Sequence, residues 1–262
     1  MKKFSIYSRT DSNSTVLSRR IATSLTAAGW KRDNDNPDVV IAIGGDGKIL
    51  RAIHRYFDIL DHVSFVAINT GTLGFLADYS RDEVDDLIQG IISEKPSYVE
   101  DCPILEITFH YKEGQETIYS VNEIRVEHPI RTMSIEVSID DVLFEKFSGN
   151  GACVSSPIGS TGYVRSIGGS IIERTKEVLQ FIEVAPIYNK KSHSLRSPLI
   201  LEGNRKVSFV SNAFDGSYIS TDYCSKRHSK IQKIDIKLAD KKVRFVHYKP
   251  YNFFTHLEEK LV

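Results

Sequence analysis

The turn Gly44-Gly45-Asp46-Gly47 is the first place in this sequence where residue types and spacing could do chemistry. It follows Val39-Val40-Ile41-Ala42-Ile43, a run with the composition of a strand buried on both faces. It precedes Ile49, Leu50, Ile53 and Phe57, which recur at helical spacing. In an open α/β sheet, ligands bind at such a strand-to-helix turn. Glycines let the backbone come close to a ligand, and a helix start offers unpaired N–H groups and partial positive charge to phosphate. A carboxylate in the same turn is placed to take a proton from an attacking hydroxyl or to hold Mg²⁺. A tight turn with a capping aspartate has the same sequence, so the tetrapeptide alone leaves both readings open.

A second element is Ser156-Pro157-Ile158-Gly159-Ser160-Thr161-Gly162-Tyr163, followed by Ser166 and Gly168-Gly169. Its hydroxyls and exposed backbone could serve a nucleotide's hydroxyls and base edges. A Gly/Ser loop or a helix capped by Ser160 or Thr161 fits equally. The third is Asn122-Glu123, a polar pair between two apolar strand segments. An amide beside a carboxylate could read ribose hydroxyls or an adenine edge, or could only interrupt a strand. Other motifs are absent. There is no G-x-x-x-x-G-K-[ST] phosphate loop, Gly149-Asn150-Gly151 lacks the third glycine of a dinucleotide fingerprint, and 158–162 does not match G-x-S-x-G. The eight histidines show no metal-ligand spacing, so no protein-held metal is expected. Tyr248, Tyr251, Phe253 and Phe254 read as core or subunit interface rather than as a base-stacking surface.

The elements that must position these residues fall into two rhythms. Over residues 1–100, strand and helix alternate. Lys3 to Tyr7 reads as a strand, and Leu17, Ile21, Leu25 and Ala28 recur at helical spacing with Gly29 at the C-cap. Val63 to Ile68 is a second buried strand, and Ser80 with Glu83 has capping-box spacing ahead of Val84, Leu87, Ile88 and Ile91. That order predicts a parallel α/β sheet. Over 101–249 the period becomes two, clearest in Met133, Ile135, Val137 and Ile139, with hairpin turns at 112–115 and Asp140-Asp141. A mostly antiparallel β-domain is expected there, with the boundary near Ser97 to Pro103. The tail, about 250–262, is expected to form a helix that packs back on the first domain.

Composition bounds the rest. The chain has 262 residues, which at about 150 residues per domain allows one large domain or two modest ones. Its 34 Lys+Arg balance 34 Asp+Glu, whereas nucleic-acid binding needs a basic excess. No apolar run approaches the ~20 residues of a membrane span, and the start Met-Lys-Lys-Phe-Ser-Ile-Tyr has too short an apolar core for a signal peptide. Cys102, Cys153 and Cys224 are scattered and form no C-x-x-C, as suits a reducing cytoplasm. The expectation is a cytoplasmic enzyme or small-molecule binder.

In order, Gly44–Gly47, Asn69-Thr70-Gly71-Thr72-Leu73-Gly74-Phe75-Leu76, Asn122-Glu123, Gly149-Asn150-Gly151 and Ser156–Tyr163 resemble the NAD kinase family over nearly the whole chain. The N-x-G-x-L-G-F-L segment discriminates most, because 6-phosphofructokinases and lipid kinases share the glycine-aspartate turn. The resemblance implies a Rossmann-like α/β domain followed by a β-sandwich-like domain. It implies phosphoryl transfer from ATP, carried with Mg²⁺, to the 2′-hydroxyl on the adenosine ribose of NAD. Asp46 would accept the proton, bind that magnesium, or both. Gly45 and Gly47 would admit the phosphates, Arg51 would neutralise them, and Phe75 would offer the adenine an apolar wall. Asn122 and Glu123 would hold the adenosine. Ile158, Thr161, Gly162, Tyr163, Val164, Arg165 and Ser166 would wrap the dinucleotide, and Ala185 and Asn150 would lie on the nicotinamide side. Homodimers or homotetramers are implied as well. Three departures stand out: Lys48 replaces a Thr, Ser148 and Asn150 replace a basic and an acidic residue, and Ile158 and Gly162 replace Thr and Ala. They bear on the nicotinamide half and the choice between NAD and NADH. The rival expectations are a degenerate homologue that senses dinucleotide without transfer, and a related sugar-phosphate or lipid kinase.

Overall fold

A computed structural model of the chain describes residues 1–71, 74–187 and 194–261; Thr72 and Leu73 of the N-x-G-x-L-G-F-L segment lie outside them. The chain divides into two compact units, Met1–Asp101 with Lys242–Val262, and Cys102–Lys241.

The first unit alternates β1 (Lys3–Ser8), α1 (Ser12–Ala27), β2 (Lys31–Arg32), β3 (Val39–Ile43), α2 (Asp46–Arg55), β4 (Ser64–Ile68) and α3 (Val84–Ser93). The strands lie in the order β2-β1-β3-β4, all parallel, and residues 244–245 add a further parallel neighbour beyond β4. All five residues of β3 are buried, as its continuous apolar run requires in a sheet covered on both faces. Asp11 caps α1 by accepting from the Ser14 N–H at 3.0 Å. The helix stops where Gly29 turns to φ 88°, with Trp30 N–H bonded to Leu25 O and Gly29 N–H to Thr26 O, a Schellman ending. The apolar faces of α1 and α3 (Ile21, Leu25, Leu87, Ile91) close over Phe4, Ile41, Val66 and Ile68.

The second unit is antiparallel. Its strands are β5 (Tyr98–Tyr111), β6 (Gln115–Ser120), β7 (Glu123–Glu127), β8 (Met133–Ile139), β9 (Val142–Gly149) and β10 (Gly151–Ser155). A short helix, α4 (Tyr163–Ser166), precedes β11 (Val178–Val184), β12 (Leu199–Glu202), β13 (Val207–Val210), β14 (Tyr218–Thr221) and β15 (Cys224–Arg227). Then follow β16 (Ile231–His247) and α5 (Phe253–Leu261), whose later residues belong to the first unit. One layer is the sheet β12-β11-β10-β7-β14-β15. The other contains β8, β9, β13 and the start of β16, and Phe147, Phe181 and Phe209 meet in the core between them. Asp140 and Asp141 both take positive φ at the β8–β9 turn, the conformation a tight two-residue hairpin demands.

The division between units differs in kind from a linker. It falls inside β5 after Asp101, in the stretch 97–103, and inside β16 after Lys241, so the chain crosses between units within strands. Residues 243–247, expected in the β-rich part, belong to the α/β unit. The polar stretch Asp240-Lys241-Lys242 breaks the apolar pattern without breaking the 17-residue strand.

Candidate functional site

Asp46 is the first residue of α2, with Gly45 as N-cap. Its carboxylate is held from across the unit by two main-chain donors. The Phe75 N–H reaches Oδ2 at 2.8 Å and the Leu76 N–H reaches Oδ1 at 3.0 Å. Each oxygen keeps a lone pair for a proton or a substrate hydroxyl. Gly74 makes the clamp possible, since a Cβ there would sit 2.9 Å from Asp46 Oδ1. Asn69 shapes the same loop by accepting the Gly71 N–H at 2.8 Å. Gly47 is open on its Cβ side, and Arg51 lies exposed one turn further along α2. Lys48 turns its ammonium over the Tyr7 ring at 4.6 Å. The Phe75 side chain departs from expectation: it is only 3% exposed, packed edge-on against Phe253 and His256. An apolar ring at the end of a buried loop gains more from the core than from solvent, so Phe75 serves Asp46 through its amide and presents no wall.

In the second unit, Asn122 and Glu123 are fixed by Asp222. Its carboxylate accepts the Val121 N–H at 2.9 Å, the Asn122 N–H at 2.7 Å and the Ser120 hydroxyl at 2.8 Å. Glu123, Arg125 and Glu127 follow at period two on one face of β7. Burial, reinforced by the charge of Asp222 and opposed by Arg125, pushes the Glu123 carboxyl up to about 8. Three enclosed atoms here lack a hydrogen-bond partner: Asn122 Oδ1, Glu123 Oε2 and Arg125 Nε. Unsatisfied polar atoms gathered at one place are what a polar ligand would satisfy. Tyr163 closes the group, with the Arg125 guanidinium 3.9 Å over its ring and its hydroxyl donating to Glu127 Oε1 at 2.8 Å.

The segment 156–166 behaves differently from a row of ligand donors. Ser156, Ser160, Thr161 and Ser166 each give their hydroxyl to a nearby carbonyl, those of Val121, Pro157, Ile158 and Tyr163. The serines fix a tight bend against Asn122, so close that a Cβ at Gly159 would meet Asn122 O at 2.3 Å. The Ile158 and Val164 side chains, expected to wrap a dinucleotide, are buried, Val164 among Cys153, Ile182 and Val184. Apolar side chains on the inner side of a helical bend anchor it, which leaves Thr161, Gly162, Tyr163, Arg165 and Ser166 as the accessible part. Asn150 and Ala185 line a cavity of about 370 Å³ with Glu127, His128, Tyr218 and Ser220. Ala185 holds the unusual φ of 45° there.

Asp222, Arg125, Glu127 and the amides of Phe75 and Leu76 join the candidate site although no motif singled them out. The strict alternation Glu123-Ile124-Arg125-Val126-Glu127 carried a signal for the two on β7. Asp222 lies 100 residues from Asn122 and carried none. Among the described residues no group of three or more His, Cys, Asp or Glu could hold a metal ion.

Two family models match the chain. The family model described as the ATP-NAD kinase N-terminal domain matches residues 5–95, and that described as the ATP-NAD kinase C-terminal domain matches 121–248. NAD kinase 1 of Bacillus anthracis is 36% identical over 99% of this chain and 98% of that protein. The NAD kinase of Geobacillus stearothermophilus is 35% identical over 99% and 96%. A yeast NADH kinase crystallised with NADH shares the fold with TM-score 0.86 at 20% identity, covering 100% of this chain and 87% of that one. An NAD kinase from Archaeoglobus fulgidus, solved with ATP, shares it with TM-score 0.78 at 23% identity, covering 99% and 98%.

Proposed function

Because the chain belongs to the NAD kinase family, we propose that it moves the terminal phosphoryl of ATP to the 2′-hydroxyl of the adenosine ribose of NAD, giving NADP. The observation that carries the chemistry is the Asp46 carboxylate, fixed at the start of α2 by the Phe75 and Leu76 amides. It takes the proton of the attacking hydroxyl, while the N-terminus of α2, Gly45, Gly47 and Arg51 receive phosphate. Mg²⁺ arrives with ATP as part of the substrate. Asn122, Glu123, Tyr163 and the accessible bend hold the adenosine and dinucleotide, and Asn150 with Ala185 meets the nicotinamide side. No helix among the described residues is long and apolar enough to cross a membrane. The working form is a homodimer or homotetramer in the cytoplasm, without nucleic-acid partners.

A positioned general base contributes about 10²–10⁴ in rate. Asp46→Asn therefore lowers kcat by that share or more while NAD still binds, measured by coupled NADP formation and by calorimetric titration. A variant as active as the parent removes Asp46 from the chemistry. Parent protein that binds NADP yet forms none from NAD, ATP and Mg²⁺ is the dinucleotide sensor instead.

A further inference from the structure

A buried histidine outside the residues given a role above reaches the Asp46 clamp through a single peptide group. His256 lies in the first turn of α5, only 7% exposed. Asn252 fixes that turn by accepting the Phe254 N–H at 2.9 Å and the Thr255 N–H at 3.1 Å. The imidazole packs against Phe75 with ring centroids 4.9 Å apart and against Tyr251 at 5.8 Å. Its Nε2 lies 2.8 Å from the Phe75 carbonyl oxygen. A carbonyl only accepts, so Nε2 carries the hydrogen in this bond. The peptide that joins Phe75 to Leu76 is thus held at both ends. Its C=O takes a hydrogen bond from His256, and its N–H gives one to Asp46 Oδ1. Because the peptide is planar, fixing the carbonyl direction fixes the opposite N–H direction. Hydrogen bonds in such a chain also polarise one another.

We infer that His256 is a positioning residue for phosphoryl transfer: through the Phe75–Leu76 peptide it aims the amide that orients the Asp46 carboxylate. The inference rests on the role proposed for Asp46 above. The histidine does not touch substrate. It sets a direction, and about 1 Å of misplacement at a reacting group can cost on the order of 10²-fold in rate.

The test uses the full-length protein with His256→Phe, which keeps a ring against Phe75 and removes the donor, and His256→Gln, whose Nε2 amide restores one. The phenylalanine variant is expected to lose at least about fivefold in kcat, while KM for NAD and for ATP stays within twofold. Hydrogen exchange at the Leu76 amide speeds up in the same variant. The glutamine variant returns kcat to within twofold of the parent. Should the phenylalanine variant fail to fold, His256→Met, flexible and without a donor, takes its place. Two results overturn the inference: a kcat within twofold of the parent in the donor-less variant, or a loss shared equally by kcat and KM that glutamine does not restore. Full turnover by Asp46→Asn is a separate result and removes the base on which the inference rests. A depressed Asp46→Asn beside an unaffected His256→Phe removes His256 alone.

Discussion

Glu123 is a carboxyl that burial and the neighbouring Asp222 push up to about 8, so at neutral pH it carries a proton and can donate as well as accept. Glu123→Gln, which keeps a donor and an acceptor, is therefore expected to hold NAD within about threefold of the parent at pH 7. Glu123→Ala leaves the ligand's polar atoms unpaired and loses roughly tenfold or more. Calorimetric titration decides between them. The linkage has a definite sign. Between the ordinary carboxylate value of 4.5 and about 8, the folded chain holds a proton that the unfolded chain has released. This group's contribution to stability accordingly declines as pH rises across that window, and the glutamine variant lacks the decline when melting temperatures are compared from pH 5 to 9. Asn150 carries a second prediction. A negative charge in its cavity favours the cationic nicotinamide of NAD over NADH. Asn150→Asp should raise the NAD-to-NADH ratio of kcat/KM by roughly three- to tenfold, and an unchanged ratio in the coupled assay places the nicotinamide elsewhere.

Elements that the sequence made legible were those whose signal is local. The run Val39–Ile43 is fully buried in β3, the alternation Met133–Ile139 is β8, and Gly29 ends α1 where a left-handed residue is needed. Less legible were elements joined by atoms that every residue has. The clamp on Asp46 is made of two main-chain amides, so no residue type announces it, and Asp222 reaches Asn122 across a hundred positions. The end of β16 is such a case. His247 there is wholly buried, with Nδ1 2.5 Å from Asp78 and Nε2 3.0 Å from Glu100, and stacked on Tyr251. Burial alone would push its imidazole down, but the hydrogen bonds it donates to both carboxylates outweigh that and hold the group above its ordinary 6.5. A raised value means the stabilisation is complete below about 6.5 and is lost as pH climbs through the folded value. His247→Leu removes the imidazolium that pairs with both buried carboxylates and should cost about 3–5 kcal/mol at pH 6, read from urea unfolding. A cost that stays constant from pH 6 to pH 9 contradicts the charged form.

At the scale of the whole molecule, the two units depend on the chain differently. Among the described residues, the core of the second runs from Leu105 to Leu238, within Cys102–Lys241. The first unit is discontinuous: residues 244–245 pair beside β4, Phe245 and Val243 are buried, and His247 and His256 come from the same late segment. A chain ended at Asp101 would expose an edge of β4, take His247 away from Asp78 and Glu100, and lose the ring packing on Phe75. An unpaired apolar edge invites association rather than folding, and burying unneutralised carboxylates is costly. Residues 1–101 alone should therefore give no cooperative thermal transition in near-ultraviolet circular dichroism, and residues 102–241 alone should give one. Adding a peptide of residues 242–262 to the first fragment should recover the transition, because the missing strand, cation and helix then return together. A sharp transition in 1–101 without that peptide would mean that the late segment only decorates a sheet already able to stand by itself, and that the histidines it brings are dispensable to the fold.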